Sequence, residues 1–172
     1  MKKIFYILSI AAVALFASCA KEEIGGTACQ DMAGQWYVTC DLIDAAGEVM
    51  ATGADFFGLD ERFMVLTYNT AANDPKEMIL DDCGNFWEFS CKIACDPAGM
   101  TFSAKDAVDY MNDDKVTVTG KIVKDGTETP SGMPADYIEM VINFGSDEYP
   151  KEYGYAAYKL SGWRYTGFEN DD

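Results

Sequence analysis

The chain has 172 residues, of which 49% are hydrophobic and 13% aromatic, enough for one domain with one core. Its 29 Asp and Glu residues outnumber its 13 Lys and Arg residues, and the net charge of −16 excludes nucleic acid and anionic lipid headgroups as partners of the protein surface. There is no His, so neither a Ser-His-Asp triad nor a Cys-His pair can form.

The first 18 residues are typical of a lipoprotein signal peptide. A basic start precedes the almost wholly apolar run 4–16, which is shorter than the roughly 20 residues that a membrane span needs. Two small residues then lead directly into Cys19. The stretch 16–19 resembles the lipobox of bacterial lipoproteins, although Phe16 stands where Leu is usual. We predict that 1–18 are removed and that Cys19 carries the lipid; the alternative is a plain secreted protein.

Residues 19–33 are predicted to be a lipidated linker, because they show little periodicity and contain Gly25-Gly26. The Ala-Lys-Glu-Glu sequence after Cys19 resembles the export tag of surface-exposed Bacteroidetes lipoproteins, and an ordinary charged linker is the alternative. We therefore expect a cell-envelope protein, attached to the outer membrane and facing outward. Its contact with the membrane is expected to come from the lipid on Cys19.

From residue 34 onward, short runs of alternating polar and apolar residues are separated by turn signals such as Asn73-Asp74-Pro75 and Cys83-Gly84-Asn85. The acidic segment 106–114 is predicted to be a loop or helical turn, and 126–134 a long hairpin loop. The pair Asp81-Asp82 is expected to be solvated. The predicted strands lie at 36–42, 62–70, 76–80, 87–95, 100–104, 116–122, 138–144 and 155–168.

About eight strands joined mostly by short turns predict an all-β fold, an eight-stranded antiparallel up-and-down barrel over 34–168. A two-sheet β-sandwich is the alternative, because a strand count alone does not separate the two. Residues 169–172 are predicted to be an acidic tail. A barrel of this size is filled by side chains or holds one small ligand, and the sequence does not decide between these.

No residue pattern indicates a catalytic site, a metal site or a cofactor. The carboxylates of 106–114 lack the spacing of a calcium-binding EF-hand loop, and a solvated loop is the simpler interpretation. Besides Cys19 there are five cysteines, so at least one has no partner in the same chain. Cys91 and Cys95 are about 13 Å apart on one strand and cannot bond to each other. Cys40 is placed on an apolar face, either as core or facing one of them across the barrel.

Aromatic residues are the more informative feature. Trp87, Phe89 and Phe144 lie on β-like runs whose apolar faces point inward. Most such residues build the core, but aromatic side chains at a barrel mouth also suit an apolar ligand. We therefore predict these three as candidate ligand-binding residues.

Four segments together resemble a known family: Gly34-Gln35-Trp36, 66–73, Phe86-Trp87 and the closing sequence 162–168. They resemble the Bacteroidetes lipoproteins described as "lipid-binding putative hydrolase". The resemblance covers about 34–168 and implies a lipocalin-like barrel that binds a lipid or another apolar molecule. It brings no catalytic residues with it.

A looser likeness is to the lipocalins, whose first strand carries a Gly-x-Trp similar to Gly34-Gln35-Trp36 and which place an Arg late in the chain over that Trp. Arg164 is the matching residue here, and the expected cation–π contact with Trp36 stabilises barrel closure by about 0.5–2 kcal/mol. The alternative is that Arg164 is an ordinary exposed strand residue.

Three functions are compatible with these features. The first is binding of an apolar small molecule or lipid inside the barrel, which an open, aromatic-lined interior favours. The second is a carboxylate-based hydrolase, which two converging carboxyl groups with raised pKa values favour. The third is a glycan- or protein-binding module, which a filled interior with exposed aromatic residues favours.

Overall fold

The computed structural model describes residues 25–171, apart from the side chain of Glu169. The predicted signal peptide 1–18 and the predicted lipid site Cys19 lie outside the described residues. The strands are β1 (Gly34–Ile43), β2 (Val49–Thr52), β3 (Phe63–Asn69), β4 (Glu77–Asp81), β5 (Ser90–Asp96), β6 (Thr101–Val108), β7 (Lys115–Glu128), β8 (Pro134–Phe144) and β9 (Ala157–Arg164). The helices are α1 (Gly53–Phe57), α2 (Tyr149–Tyr153) and a 3₁₀ turn, η1 (Glu169–Asp171).

The strands form one closed, antiparallel barrel. Each of β3 to β8 pairs with the next strand along the chain, and β1 pairs with β9 from Trp36 to Ile43. Because β9 occupies one edge of β1, β2 and β3 share its other edge and act as one interrupted strand. The wall is therefore eight-stranded, which confirms the predicted up-and-down barrel and rules out the β-sandwich. None of the helices in the described residues has the length and apolar character needed to cross a membrane.

Large apolar side chains fill the inside of the barrel. Alternate residues of each strand point inward, as the alternation in the sequence predicts for β1, where Trp36, Val38, Cys40 and Leu42 are buried. Each fully buried large side chain stabilises the fold by about 1.5–3 kcal/mol. The largest wholly buried side chains on the strands are Trp36, Leu42, Met78, Leu80, Ile93, Ile138, Met140, Ile142, Tyr158 and Leu160.

Two predicted loops each begin with strand residues. The predicted loop 106–114 contains the end of β6, and the predicted hairpin loop 126–134 contains the end of β7. The reason is a bulge in each strand, at Asp106 and Asp125, where φ is +51° and +48° and the register of the pairing shifts. Relative to the partner strand, one extra residue is inserted between Ala104 and Ala107 and two between Val123 and Thr127, so the pairing is interrupted although each strand continues.

Both predicted flanking segments contribute to the barrel. Within the predicted linker 19–33, Cys29 and Met32 are wholly buried and belong to the core. Their turn covers one end of the barrel, where the Met32 carbonyl accepts a 2.6 Å hydrogen bond from Thr67. In the predicted acidic tail, Asp171 is buried and accepts hydrogen bonds from the Ser131 N–H and the Thr166 hydroxyl.

Candidate functional site

One end of the barrel, which we call the arginine end, is covered by Arg164 and the turn that contains Cys29 and Met32. Trp36 and Arg164 are paired residues of β1 and β9, and the guanidinium carbon of Arg164 lies 4.3 Å from the centroid of the Trp36 ring. The Trp36 indole N–H donates a 2.8 Å hydrogen bond to Thr67. This end is therefore closed by a cation–π contact over a fully hydrogen-bonded indole.

The other nitrogen atoms of Arg164 bind the chain on both sides. Its Nε donates to Asp136 at 2.9 Å, and its two terminal nitrogens donate to the carbonyls of Ala33 at 2.5 Å and Asp31 at 2.9 Å. Burial alone would raise the pKa of Asp136, but hydrogen bonds from the Asp125 N–H, Arg164 and Lys124 lower it. Asp136 is therefore a carboxylate that holds Arg164 over the indole.

Aromatic rings gather at the opposite end, which we call the aromatic end. This end consists of α1, α2, loop 82–89, hairpin 109–114 and segment 145–148. The Trp87 ring is stacked on Phe144 with their centroids 4.7 Å apart, and the Phe89 ring meets Phe144 at 5.4 Å. Phe86 and Tyr158 complete the cluster, with their rings 5.2 Å apart. The three predicted ligand-binding residues thus lie together. Trp87 and Phe89 precede β5, however, and are not on the predicted strand 87–95.

Asp82 explains why Trp87 and Phe89 leave the sheet. Its side chain is wholly buried, contrary to the predicted solvated position, and it accepts hydrogen bonds of 2.6–3.0 Å from five backbone N–H groups. The carboxylate folds them into a tight loop that turns Phe86 and Trp87 over the barrel mouth. The donors belong to Gly84, Phe86, Trp87, Glu88 and Phe89.

Neighbouring connections hold this loop in place. The Asn112 side-chain amide donates to the carbonyls of Trp87 and Glu88 at 3.2 and 3.0 Å. On its other flank the same hairpin meets segment 145–148, where the Ser146 hydroxyl donates to Asp114 at 2.7 Å. The connections therefore form a continuous collar around the aromatic end, completed between α1 and α2 by ring contacts.

A buried polar chain runs beneath the rings. The Tyr158 hydroxyl donates to Asp147 at 2.6 Å and shares a 2.6 Å hydrogen bond with Tyr155. The pKa of Tyr158 is raised, mainly by burial and next by the hydrogen bond to Asp147. Burial also raises the pKa of Tyr155 to about 12. Both tyrosines are therefore neutral hydrogen-bond donors near neutral pH. Asp147 also accepts from the Tyr149 N–H at 2.9 Å, so its oxygens are occupied.

Apolar side chains project into solvent around the aromatic end. The most exposed are Tyr110 and Met111 at 57% and 66%, on the hairpin between β6 and β7. A groove of about 250 Å³ lies among these features, with Trp87 and Tyr149 as its aromatic walls and Glu148 and Glu152 at its edge. Exposed apolar groups of this kind mark interaction sites on soluble domains. The other exposed members are Val49, Met50, Phe56, Val108, Tyr149 and Tyr153.

Other regions offer less specific chemistry. A wider groove of about 600 Å³ crosses the outer face of β5 to β8, where Ala94, Ser103 and Thr119 make a hollow of small side chains. Within residues 25–171, no three Cys, Asp or Glu side chains are grouped so that they would hold a metal ion. The buried carboxylates near the aromatic end, Asp82, Asp109 and Asp147, each accept backbone N–H groups.

A small antiparallel barrel, closed at one end by an arginine on a tryptophan and collared by aromatic residues at the other, defines a lipocalin-like protein. The model of the family described as "Lipid-binding putative hydrolase" matches residues 21–169. The chain belongs to this family. No curated protein matches the chain.

The sequence misses the residues that build the aromatic end around the rings. Asp147 and Tyr158 carry no recognisable motif, because they bind each other across 11 positions of the chain. A signal for Asp82 does exist: an Asp followed by Cys83-Gly84-Asn85 is typical of a turn in which the side chain accepts backbone N–H groups.

Proposed function

We propose that the protein is an outer-membrane lipoprotein, held by a lipid on Cys19, that binds a lipid or another apolar molecule at the aromatic end. The observation that carries this proposal is the partly buried Trp87 ring stacked on Phe144 beside an open groove. Membership of the lipid-binding family supports the same class of ligand.

The filled interior sets how the ligand enters. Trp87 and Phe86 are only partly buried, and they cover the wholly buried Phe89 and Tyr158. An apolar chain that enters the groove replaces ring contacts with contacts of the same kind. We therefore propose that the ligand displaces Trp87 from Phe144 and takes its place over the core. Glu148 and Glu152 at the groove edge disfavour a ligand with a negative headgroup, so a neutral ligand is expected.

Binding is tested with the neutral fluorescent probe N-phenyl-1-naphthylamine and the full chain. Trp87→Ala is expected to strengthen probe binding about tenfold, because it removes the ring that the ligand must displace from Phe144. The matched control is Phe168→Ala, which removes an equally apolar and 62% exposed ring at the arginine end. Equal affinities of the wild type and Trp87→Ala would exclude the aromatic end as the site.

Native mass spectrometry of the protein purified from its host separates this proposal from the other two functions. A retained neutral lipid mass supports it. If the protein is repeatedly recovered empty and cleaves p-nitrophenyl esters, the hydrolase is favoured. If it is recovered empty and binds to glycan arrays, the glycan-binding module is favoured.

The anchor is tested separately. Cells fed an alkyne-bearing fatty acid are expected to label the wild-type chain, and Cys19→Ser is expected to abolish the label. Digestion of intact cells with a protease then tests whether the barrel faces outward. Persistent labelling of Cys19→Ser would contradict the lipid site.

A further inference from the structure

Two cysteines far apart in the chain meet beside the arginine end. The Sγ atoms of Cys29 and Cys95 lie 3.4 Å apart, although 66 positions separate them in the sequence. Cys29 belongs to the buried turn before β1, and Cys95 lies near the end of β5. Cys29 is wholly buried, whereas Cys95 is partly exposed.

The surroundings of the two thiols suit a bond between them. A disulfide joins sulfur atoms at about 2.0 Å, so small side-chain rotations of both residues close the gap. The other contacts of the two sulfurs are long hydrogen bonds to backbone carbonyls. Cys95 donates at 3.4 Å to Pro75, and Cys29 lies 3.6 Å from the Asp74 carbonyl and 3.8 Å from that of Glu77. Thiols are weak donors, so little is lost when the S–H groups disappear.

We propose that Cys29 and Cys95 form a disulfide bond in the exported protein. The oxidant is a disulfide, either small, such as oxidised glutathione, or carried by a thiol oxidoreductase of the cell envelope. The Cys95 thiolate attacks one sulfur of that disulfide, and the other sulfur leaves as a thiol. The Cys29 thiolate then attacks the Sγ of Cys95 and releases the second thiol. The two protons from the cysteines end on the two released thiols, so atoms and electrons balance.

The exposure of the two cysteines fixes this order of attack. Cys95 lines a groove of about 650 Å³ with Ala28, Lys76 and Pro97, and an oxidant reaches it there. Cys29 is buried behind it and reacts second. Burial, followed by the hydrogen bond with Cys29 and the charges of Asp74 and Asp96, raises the pKa of Cys95 to about 12. The uncatalysed reaction is therefore slow at neutral pH, and its rate is expected to rise about tenfold per pH unit.

The bond would fasten the chain where it enters the barrel. Cys29 lies within the predicted linker 19–33 that starts at the proposed lipid site Cys19, and the same turn supplies the Asp31 and Ala33 carbonyls that bind Arg164. A disulfide to β5 would therefore transmit any pull on the tether directly to the barrel wall. Its presence in cells rests on the proposed export, because disulfides persist in oxidising compartments.

The test uses the full chain purified from its host, with thiols trapped by acid and N-ethylmaleimide at lysis. Mass spectrometry of a non-reduced digest is expected to find a peptide in which Cys29 and Cys95 are linked. Reduction is expected to lower the melting temperature by about 5–15 °C, since the bond constrains a long loop in the unfolded chain. If N-ethylmaleimide is found on both Cys29 and Cys95 of the protein from its host, the proposal is overturned. This holds even if oxidised glutathione can form the bond in the purified chain.

Two variants test whether the effect of reduction comes from the bond between Cys29 and Cys95. Cys95→Ser is expected to abolish the response of the melting temperature to reductant, and Cys83→Ser, which removes an exposed thiol at the aromatic end, is expected to keep it. Full response of Cys95→Ser to reductant overturns the proposal. Probe binding at the aromatic end is measured on the same samples. A linked peptide without probe binding refutes the proposed ligand site and leaves the disulfide in place.

Discussion

Replacement of Arg164 by Met tests how the barrel is closed. The substitution keeps an unbranched apolar side chain over Trp36 but removes the charge and every hydrogen bond donor. It ends the contact at 4.3 Å with the Trp36 ring, the ion pair with Asp136, and the hydrogen bonds to the carbonyls of Ala33 and Asp31.

The expected loss of stability follows from these contacts. The cation–π contact contributes about 0.5–2 kcal/mol, and a hydrogen bond to a charged group about 1.5–3 kcal/mol. These terms are not additive within one network. Asp136 also keeps Lys124 at 3.2 Å and the Asp125 N–H at 3.1 Å, so its charge stays paired. We therefore expect the free energy of unfolding to fall by about 3 kcal/mol at pH 7.

Urea unfolding of the full chain, followed by tryptophan fluorescence, measures this change. The chain contains a matched control, because Arg62 lies over Trp163 on the outer face at 5.3 Å from the ring centroid. Arg62→Met removes a cation–π contact alone and is expected to cost less than about 1 kcal/mol. Equal effects of the two substitutions, or a loss below 1 kcal/mol for Arg164→Met, would refute the reasoning.

The difference should also depend on pH. The folded-state pKa of Asp136 is lowered. Its contribution to the free energy of unfolding is therefore complete above its unfolded-state pKa of about 3.9, and it is lost as the pH falls through the folded-state pKa. Removal of Arg164 raises the folded-state pKa toward the unfolded one. Acidification therefore lowers the free energy of unfolding of the variant less than that of the wild type. The difference between the two proteins at pH 7 should be smaller at pH 3. A gap that is constant with pH would show that Asp136 is not part of the effect.

Three further predictions concern the aromatic end and the core. Asp82→Asn leaves one acceptor oxygen for five N–H groups, so we expect urea unfolding to show a loss of about 2–3 kcal/mol. Probe titration is expected to show tighter binding, because Trp87 is held less firmly over Phe144 and is displaced more easily; unchanged probe affinity would contradict this account. Tyr158→Phe removes the hydroxyl between Asp147 and Tyr155, and we expect it to destabilise the protein by about 1–3 kcal/mol in the same assay. The control is Tyr153→Phe, an exposed position, which is expected to change stability by less than about 0.5 kcal/mol. Gly120→Ala places a Cβ against the Phe102 ring and 2.9 Å from the Glu139 carbonyl, so a loss of about 1–3 kcal/mol is expected; Gly25→Ala, with no atom within 4 Å of the new Cβ, should be neutral.

The sequence predicts the barrel because buried and more exposed residues alternate along most of β1, β3, β4 and β8. It fails where a strand contains a bulge. One extra residue around Asp106 exchanges the inner and outer faces, and two extra residues around Asp125 interrupt the pairing without exchanging them. It also fails for α1 and α2, which have five residues each. Helices of this length bury little and form because the collar holds them, so they leave no periodic pattern.

Trp87, Phe89 and Phe144 were predictable as a group because aromatic residues on apolar runs collect in a core. Their support was not predictable. Asp82 looks like any other member of a chain with 29 acidic residues, and only the fold shows that it is wholly buried under its own loop. Likewise, Asp147 and Tyr158 come together only when segment 145–148 bends back over β9.

The two ends of the barrel are held by different forces, and this difference favours the aromatic end as the site of binding. At the arginine end, directional hydrogen bonds and a cation–π contact fix Trp36, and no apolar ligand supplies replacements for them. At the aromatic end, Trp87 is held over Phe144 by ring stacking, which an apolar ligand reproduces on the same surface. The loop backbone stays fixed by Asp82 while the ring moves. A filled barrel therefore remains compatible with a ligand, provided that the ligand exchanges with Trp87 at the surface of the core.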